Sequence, residues 1–497
     1  MSPALAGSPA VSPALAARPA VSPAVAGSPA VRGRHVVVIG GGLSGLSASI
    51  ALRDAGLDIT MVEARPRLGG AASSYQRGDL TVDNGQHVFL RCCTSYLELI
   101  ERLGATGSVA IQERFDVTVL SPGGQARLRR TGLPSPLHMT GALNRYRHLS
   151  MGQRLRVARA ALALRLLDPA DPELDRIRLG DWLAARGQDE RTRRVLWDLF
   201  VVSSLNIAGD EASLSLATTV IKTALLGARD AADIGMAKVP LGDLHGRAAA
   251  DLLARIGVQV RLATKASGVR PLEGGGIEVA AGGEVLRADA VVLAVPAGQA
   301  ARLAGGAGVE ASDRWADLGA SPIVNVHLVY DRPVTHLPLA AAVDSPVQWV
   351  FDKTRQSGVA AGQYLAVSLS AADDYVDVPV ATLREQFVPA MEGLFPAAAQ
   401  ARITDFFVTR ERRATFRQGP GAGGIRPGSQ TPVRGLVVAG AWTDTGWPDT
   451  MEGAVRSGHN AAQEVIRQAA AGLPGPAAGT QPDGLTRPAM ADSRAAL

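Results

Sequence analysis

The hydrophobic pattern first becomes regular at residue 36, where the β-branched run V-V-V-I has the length expected of a buried parallel strand. Apolar residues then recur at helical spacing over residues 43–55, and Gly56 ends that stretch. Residues 58–62 form a second short apolar run. The pattern therefore predicts a strand, a helix and a second strand, joined as a β-α-β unit.

Three glycines occupy the turn between the first strand and the helix, with the spacing G-x-G-x-x-G. Gly40 allows the tight turn, Gly42 lets the backbone approach a pyrophosphate, and Gly45 lets the helix pack on the strand. Glu63 follows the second strand, where its carboxylate can accept hydrogen bonds from ribose hydroxyls. Because all these parts are in register, a dinucleotide site is preferred over a packing turn that binds nothing. Its predicted contacts are Gly40, Gly42, Leu43, Ser44, Gly45 and Glu63.

The residues after the second strand indicate which dinucleotide is bound. They read E-A-R-P-R-L-G-G over 63–70. This stretch resembles the second pyrophosphate-contacting turn of the FAD-dependent amine oxidase and carotenoid desaturase superfamily, which NAD dehydrogenases generally lack. The resemblance implies FAD as the cofactor. It adds Ala64, Arg65, Gly69 and Gly70 to the cofactor contacts.

A second motif, D-N-G-Q-H at 83–87, resembles the hydroxysqualene dehydroxylases, also called squalene-associated FAD-dependent desaturases. In that superfamily the turn passes beside the flavin ring, which implies Gly85 and Gln86 as contacts. His87 is a candidate proton donor, with a structural hydrogen-bonding role as the alternative.

The third motif lies near the end of the chain, where residues 435–458 resemble the C-terminal flavin motif of the superfamily. A strand ending in glycine leads through Pro448 to a helix that begins at Met451. Backbone N–H groups at that helix N-terminus can stabilise negative charge at the N1–C2=O edge of a reduced flavin. The implied contacts of this motif and of the predicted strand at 257–261 are Val260, Gly440, Met451, Glu452, Gly453 and Ala454.

The resemblance implies an α/β fold with a Rossmann-type FAD-binding domain, glutathione-reductase-like as in the amine oxidase superfamily, and an inserted α+β substrate domain. Segments 33–98, 238–298 and 430–471 would build the FAD-binding domain, and segments 99–237 and 299–429 the substrate domain. A proline-rich repeat at 1–32 and an Ala-, Gly- and Pro-rich end at 472–497 have too few large apolar residues to order themselves. Both are predicted to be disordered tails.

The amino-acid composition narrows the class of protein and its cellular compartment further. Aromatic residues make up only 4% of the chain, which disfavours base stacking on nucleic acid. The two cysteines are adjacent, so no disulfide framework exists, which fits a reducing, cytoplasmic compartment. Residues 139–167 contain arginines and no acid among Leu and Ala, which is typical either of peripheral contact with the inner face of a membrane or of a solvated helix. These arginines are Arg145, Arg147, Arg154, Arg156, Arg159 and Arg165.

The resemblance implies reductive removal of the allylic hydroxyl of hydroxysqualene to give squalene, for hopanoid or other triterpene synthesis. It implies an isoprenoid substrate, no metal, and squalene-pathway prenyl transferases as partners. One alternative is a phytoene-type carotenoid desaturase or an amine oxidase relative. Another, of a different class, is a flavin-binding protein without turnover that assists a prenyl synthase.

Overall fold

The computed structural model describes residues 30–473. The two predicted tails lie outside the described residues except at their inner ends. There the boundaries need correction, because Val31 and Leu473 are buried in the core. Arg34 holds the two ends together: its guanidinium donates to the Leu473 carbonyl over 2.7 Å and to Asp289 over 3.1 Å.

The strands are β1 (His35–Ile39), β2 (Asp58–Val62), β3 (Ser74–Arg77), β4 (Leu80–Asp83), β5 (Val88–Leu90), β6 (Val109–Ile111), β7 (Asp116–Ser121), β8 (Gly124–Arg129), β9 (Ile234–Ala237), β10 (Gln259–Arg261), β11 (Ala266–Pro271), β12 (Ile277–Ala281), β13 (Glu284–Ala288), β14 (Ala290–Leu293), β15 (Ser321–Tyr330), β16 (Leu339–Ala342), β17 (Trp349–Asp352), β18 (Gln363–Leu369), β19 (Ile403–Thr415) and β20 (Leu436–Val438).

The α-helices are α1 (Leu43–Asp54), α2 (Thr94–Arg102), α3 (Thr140–Arg145), α4 (Met151–Arg165), α5 (Pro172–Asp175), α6 (Leu179–Ala184), α7 (Glu190–Thr192), α8 (Asp198–Leu205), α9 (Leu214–Val220), α10 (Ala248–Arg255), α11 (Ala297–Gly306), α12 (Thr354–Ser357), α13 (Val380–Leu394) and α14 (Met451–Ala470). Turns of π-helix lie at Arg193–Trp197, Ile221–Leu225 and Gly242–Arg247, and 3-10 turns at Thr106–Ser108, Leu137–Met139, Gly209–Glu211, Glu310–Leu318 and Pro396–Gln400.

A five-stranded parallel sheet in the order β10-β2-β1-β14-β20 joins parts of the chain that are far apart in sequence. Both faces of this sheet are covered, so most side chains on both sides of its strands are buried. The strands are therefore short runs of mainly apolar residues. In β1, Val37 and Ile39 belong to one hydrophobic core, whereas Val36 and Val38 belong to another on the opposite face. Helices α1 and α14 pack against each other in the second of these cores.

A seven-stranded sheet in the order β19-β15-β18-β17-β16-β7-β8 forms the main part of the inserted region. Strand β7 comes from the first insertion and pairs in parallel with β16 of the second, with Ala341 opposite Val119. The two inserted segments therefore share one sheet, and the helices α3 to α9 belong to the first of these segments. Together with the parallel sheet, this arrangement confirms the predicted α/β fold class.

None of the helices within residues 30–473 combines the length and the apolar character needed to cross a membrane.

Candidate cofactor and active site

The glycines of the first turn are needed for two different reasons. A Cβ atom at Gly40 would collide with the Ala294 carbonyl, and one at Gly45 would collide with the Gly40 carbonyl. A Cβ at Gly42 would meet only the Gly70 Cα, at an ordinary 3.7 Å. Because Gly42 also has an extended backbone (φ −79°, ψ 179°), nothing in the protein itself requires glycine there. The space beside Gly42 therefore fits a ligand that must approach the backbone closely.

The second glycine turn packs directly on the first. The Gly69 N–H donates to the Gly41 carbonyl over 2.9 Å. A Cβ at Gly70 would lie 2.7 Å from the Gly42 Cα. Arg65 closes this turn by donating from its guanidinium to the Gly70 carbonyl over 3.1 Å. The structure thus brings both predicted pyrophosphate turns to the N-terminus of α1.

Glu63 is buried, and its carboxylate orders the first turn. One oxygen accepts from the Gly41 N–H over 2.6 Å, and the other accepts from the Arg65 N–H over 2.8 Å. Each oxygen keeps a further lone pair with which a ribose hydroxyl could be bound. Ala64 is exposed beside it, and Val260 lies in the neighbouring strand β10, opposite Met61 of β2.

The C-terminal motif reaches the same place through α14. The Thr450 hydroxyl caps this helix by accepting from the Gly453 N–H over 3.2 Å. Ser457, one turn further along, accepts from the Gly440 N–H over 2.9 Å and donates to the Ser44 hydroxyl over 3.1 Å. These contacts bring the first turn of α14, which contains Met451, Gly453 and Ala454, close to the first turn of α1.

The predicted contact Glu452 has a different use for its side chain. It is 1% exposed, and its carboxylate accepts from the N–H groups of Ser95 and Tyr96 at the start of α2, over 3.2 and 2.8 Å. It also forms an ion pair with Arg456 at 2.6 Å. Only the backbone of Glu452 is therefore left for a cofactor. Helix α2 begins without a side-chain cap of its own, so its first N–H groups are left to Glu452.

Replacing Glu452 by alanine is expected to destabilise the protein by about 3–5 kcal/mol, because Arg456, whose side chain is only 13% exposed, would lose its ion-pair partner and α2 would lose its cap. Urea unfolding followed by circular dichroism measures this change. The matched control is Asp243→Ala, which breaks an exposed ion pair of the same i,i+4 spacing with Arg247 and should cost at most about 0.5 kcal/mol. Equal stability of the two variants would contradict the structural role of Glu452.

The D-N-G-Q-H turn follows β4 and is anchored by Asp83. This buried carboxylate accepts from the Leu241 N–H over 3.0 Å and pairs with Lys353 at 2.8 Å. Asn84 holds the other side, donating to the Ala71 carbonyl over 2.7 Å. The turn containing Gly85 and Gln86 is thereby fixed close to the second glycine turn.

His87 lies at the end of this turn. Burial lowers the pKa of its imidazole, Lys353 lowers it further, and Asp83 opposes them. The ring makes no hydrogen bond to any other residue of the described chain, so it is free to meet a ligand. A neutral imidazole is a weaker acid catalyst than the imidazolium ion. The role of His87 as proton donor stays a prediction.

Asp449, immediately before the cap of α14, was not singled out by the sequence reasoning although it lies inside the C-terminal motif. Burial raises the pKa of its carboxyl to about 6, against the opposing effects of the Phe416 N–H and of Arg426. One oxygen accepts from that N–H over 2.9 Å. The residue nevertheless keeps partial solvent accessibility, so it is not completely enclosed by packed protein.

Arg426 was also missed. It is buried, and its guanidinium donates to the carbonyls of Ala441, Trp442, Thr443 and Trp447, which shapes the loop that leads to Asp449. The glycine-rich segment just before Arg426, residues 419–424, is not followed by a helix.

The residues present fit FAD. A pyrophosphate fits the space beside Gly42 and the two glycine turns. A ribose fits the carboxylate of Glu63, and the edge of a flavin fits the capped N-terminus of α14.

Known proteins match this chain over most of its length. Residues 43–466 match the family model described as flavin containing amine oxidoreductase. The chain is 34% identical to hydroxysqualene dehydroxylase of Rhodopseudomonas palustris, over 87% of this chain and 98% of that relative. It is 26% identical to the chloroplastic/chromoplastic zeta-carotene desaturase of Zea mays, over 85% of this chain and 82% of that relative.

Among solved structures, cyclohexylamine oxidase from Brevibacterium oxydans superposes with a TM-score of 0.66 at 20% identity, covering 88% of this chain and 99% of that one. This likeness shows the fold alone. The family model and the Rhodopseudomonas relative show more: the chain belongs to the flavin-containing amine oxidoreductases, which are FAD-dependent oxidoreductases, and among them to the hydroxysqualene dehydroxylase family.

Proposed function

We propose that this protein removes the allylic hydroxyl of hydroxysqualene reductively and releases squalene, for hopanoid or other triterpene synthesis. The observation that carries the proposal is the likeness to the Rhodopseudomonas palustris hydroxysqualene dehydroxylase over 98% of that relative's length. The likeness to a zeta-carotene desaturase is weaker, at 26% identity, which makes a carotenoid desaturase the second candidate.

The proposed reaction breaks a C–O bond, forms a C–H bond and releases water, so it consumes one proton and one hydride equivalent. When bound in its reduced form, FAD supplies the hydride. The protein must hold the alcohol in a dry site and deliver the proton to the departing oxygen. Loss of an allylic hydroxyl leaves a cation that is stabilised by its own delocalisation. The main chemical task of a side chain is therefore to protonate the departing oxygen.

We assign proton delivery to Asp449. Its carboxyl is partly protonated near neutral pH, because burial raises the pKa to about 6. The Phe416 N–H holds one oxygen of the carboxyl over 2.9 Å, which leaves the other oxygen available to donate a proton. His87 is the alternative donor. Its lowered pKa favours the neutral ring, which leaves it better suited to orient the alcohol through a hydrogen bond.

The decisive experiment supplies hydroxysqualene to the FAD-loaded enzyme with a chemical reductant under anaerobic conditions. Squalene should form, and hydrogen label placed on the reduced cofactor should appear in it if solvent exchange is slower than turnover. Oxidation of phytoene or of an amine, with no squalene under any reductant, would favour a desaturase or an amine oxidase. Full FAD content without turnover of any isoprenoid would favour a non-catalytic partner of a prenyl synthase.

The proposal has three further parts. Segments 33–98, 238–298 and 430–471 act as the FAD-binding domain, which is supported by the parallel sheet drawn from them. Association with squalene-pathway prenyl transferases is expected, since one enzyme's apolar product is the next one's substrate. Peripheral contact of residues 139–167 with the inner face of a membrane is supported by their positive charge.

A further inference from the structure

Helix α4 is apolar on two opposite faces, whereas its sequence pattern predicts an ordinary basic amphipathic helix. Val157, Ala160 and Leu164 are buried against the inserted helices. A second set of four large side chains is exposed. These are Met151 (70%), Leu155 (65%), Leu162 (58%) and Leu166 (87%), the last just past the helix end. We call this set the outer stripe.

The outer stripe is one continuous surface. At 3.6 residues per turn, its four side chains fall within about 60° of arc, roughly opposite the buried face. Along the axis they span about 22 Å at 1.5 Å per residue. Scattered single leucines on a surface are common, but four aligned on one helix face are not explained by packing among residues 30–473.

Unpaired positive charge surrounds the stripe. Arg159 and Arg165 are exposed on either side of it, and Arg145 and Arg147 are exposed just before α4. None of these four has an ion pair or hydrogen-bond partner for its side chain among residues 30–473. Arg156, by contrast, points away from the stripe and pairs with Asp189 at 3.3 Å. With no acid in residues 139–167, this surface is both apolar and positive.

We infer that the outer stripe inserts into the boundary between headgroups and acyl chains of an anionic phospholipid bilayer, with α4 lying in the membrane plane. The leucines enter the hydrocarbon while the flanking arginines remain at the phosphates, which is the arrangement that an interfacial helix requires. This inference deepens the proposed membrane contact by naming the groups that enter the bilayer. It does not depend on the identity of the isoprenoid substrate.

A second copy of the chain fits the surface less well. Stripe-to-stripe packing would bring together two rows of arginines from segments that contain no acid, and like charges in contact are destabilising. Anionic lipid headgroups complement those charges and accept the apolar stripe at the same time.

The test uses the full-length, FAD-loaded protein and vesicles of phosphatidylcholine and phosphatidylglycerol in equal parts. Wild-type protein should sediment with them, and Leu155→Gln/Leu162→Gln should bind at least about tenfold more weakly, because two exposed leucines no longer enter the hydrocarbon. The control Val285→Gln, which alters a 61% exposed apolar residue on β13, should bind like wild type.

A second variant separates charge from insertion. Arg159→Gln/Arg165→Gln should weaken binding and flatten its dependence on salt, while leucine variants keep the salt dependence. Because all four residues are exposed, FAD content and melting temperature should not change. Vesicle binding that is unaltered by the leucine substitutions would overturn the inference, as would a concentration-dependent dimer that those substitutions abolish. Failure of the squalene assay would not affect the inference that the outer stripe inserts into a bilayer.

Discussion

Gly42→Val protein is expected to purify without its yellow colour. We propose that the first N–H groups of α1 and the backbone at Gly42 bind the cofactor's pyrophosphate, and the valine side chain would occupy that space. Loss of two charge-assisted hydrogen bonds at about 1.5 kcal/mol each corresponds to roughly 100-fold weaker FAD binding. Flavin absorbance per protein, with a titration of added FAD, measures the effect.

The geometry makes this prediction specific to the ligand. A Cβ at position 42 meets only the Gly70 Cα at 3.7 Å, so Gly42→Ala should fold normally and still bind FAD poorly. The matched control is Gly107→Val, an exposed glycine with no atom within 4 Å of its would-be Cβ, which should keep full FAD content. A complete flavin spectrum in Gly42→Val protein would show that the cofactor site is wrongly placed.

Asp449→Asn is expected to lower kcat for squalene formation by about 100-fold while FAD is retained, as is usual when a general acid is removed. The asparagine oxygen can still accept from the Phe416 N–H, so the local structure should persist. Asp444→Asn, an exposed position in the same loop, is the control and should act like wild type.

The pH dependence gives this prediction a second readout. Only the protonated carboxyl can donate a proton. Wild-type kcat should therefore be highest below the raised pKa of Asp449, which is about 6, and should decline as the pH rises through that pKa. Asp449→Asn should remove that decline. If its kcat and pH profile remain those of the wild type, the proton comes from elsewhere, and His87→Ala becomes the variant to examine.

Much of the cofactor site could be predicted because its signals are local. The strand, the glycine turn, α1 and the second strand follow one another within residues 35–62, where residue spacing alone constrains the backbone. The same holds for the strand and helix of the C-terminal motif. Each such unit has a short-range pattern of buried and exposed positions, which a linear chain displays directly.

The remaining features depend on contacts between distant parts of the chain. Glu452 caps α2 across more than 350 positions, and the raised pKa of Asp449 comes from burial that only the assembled molecule creates. Which apolar face of α4 turns inward depends on the helices it meets, because the apolar residues of both faces recur at helical spacing in the sequence. Local periodicity determines what a segment can become, but desolvation, capping and the choice between equivalent faces arise only when remote segments pack together.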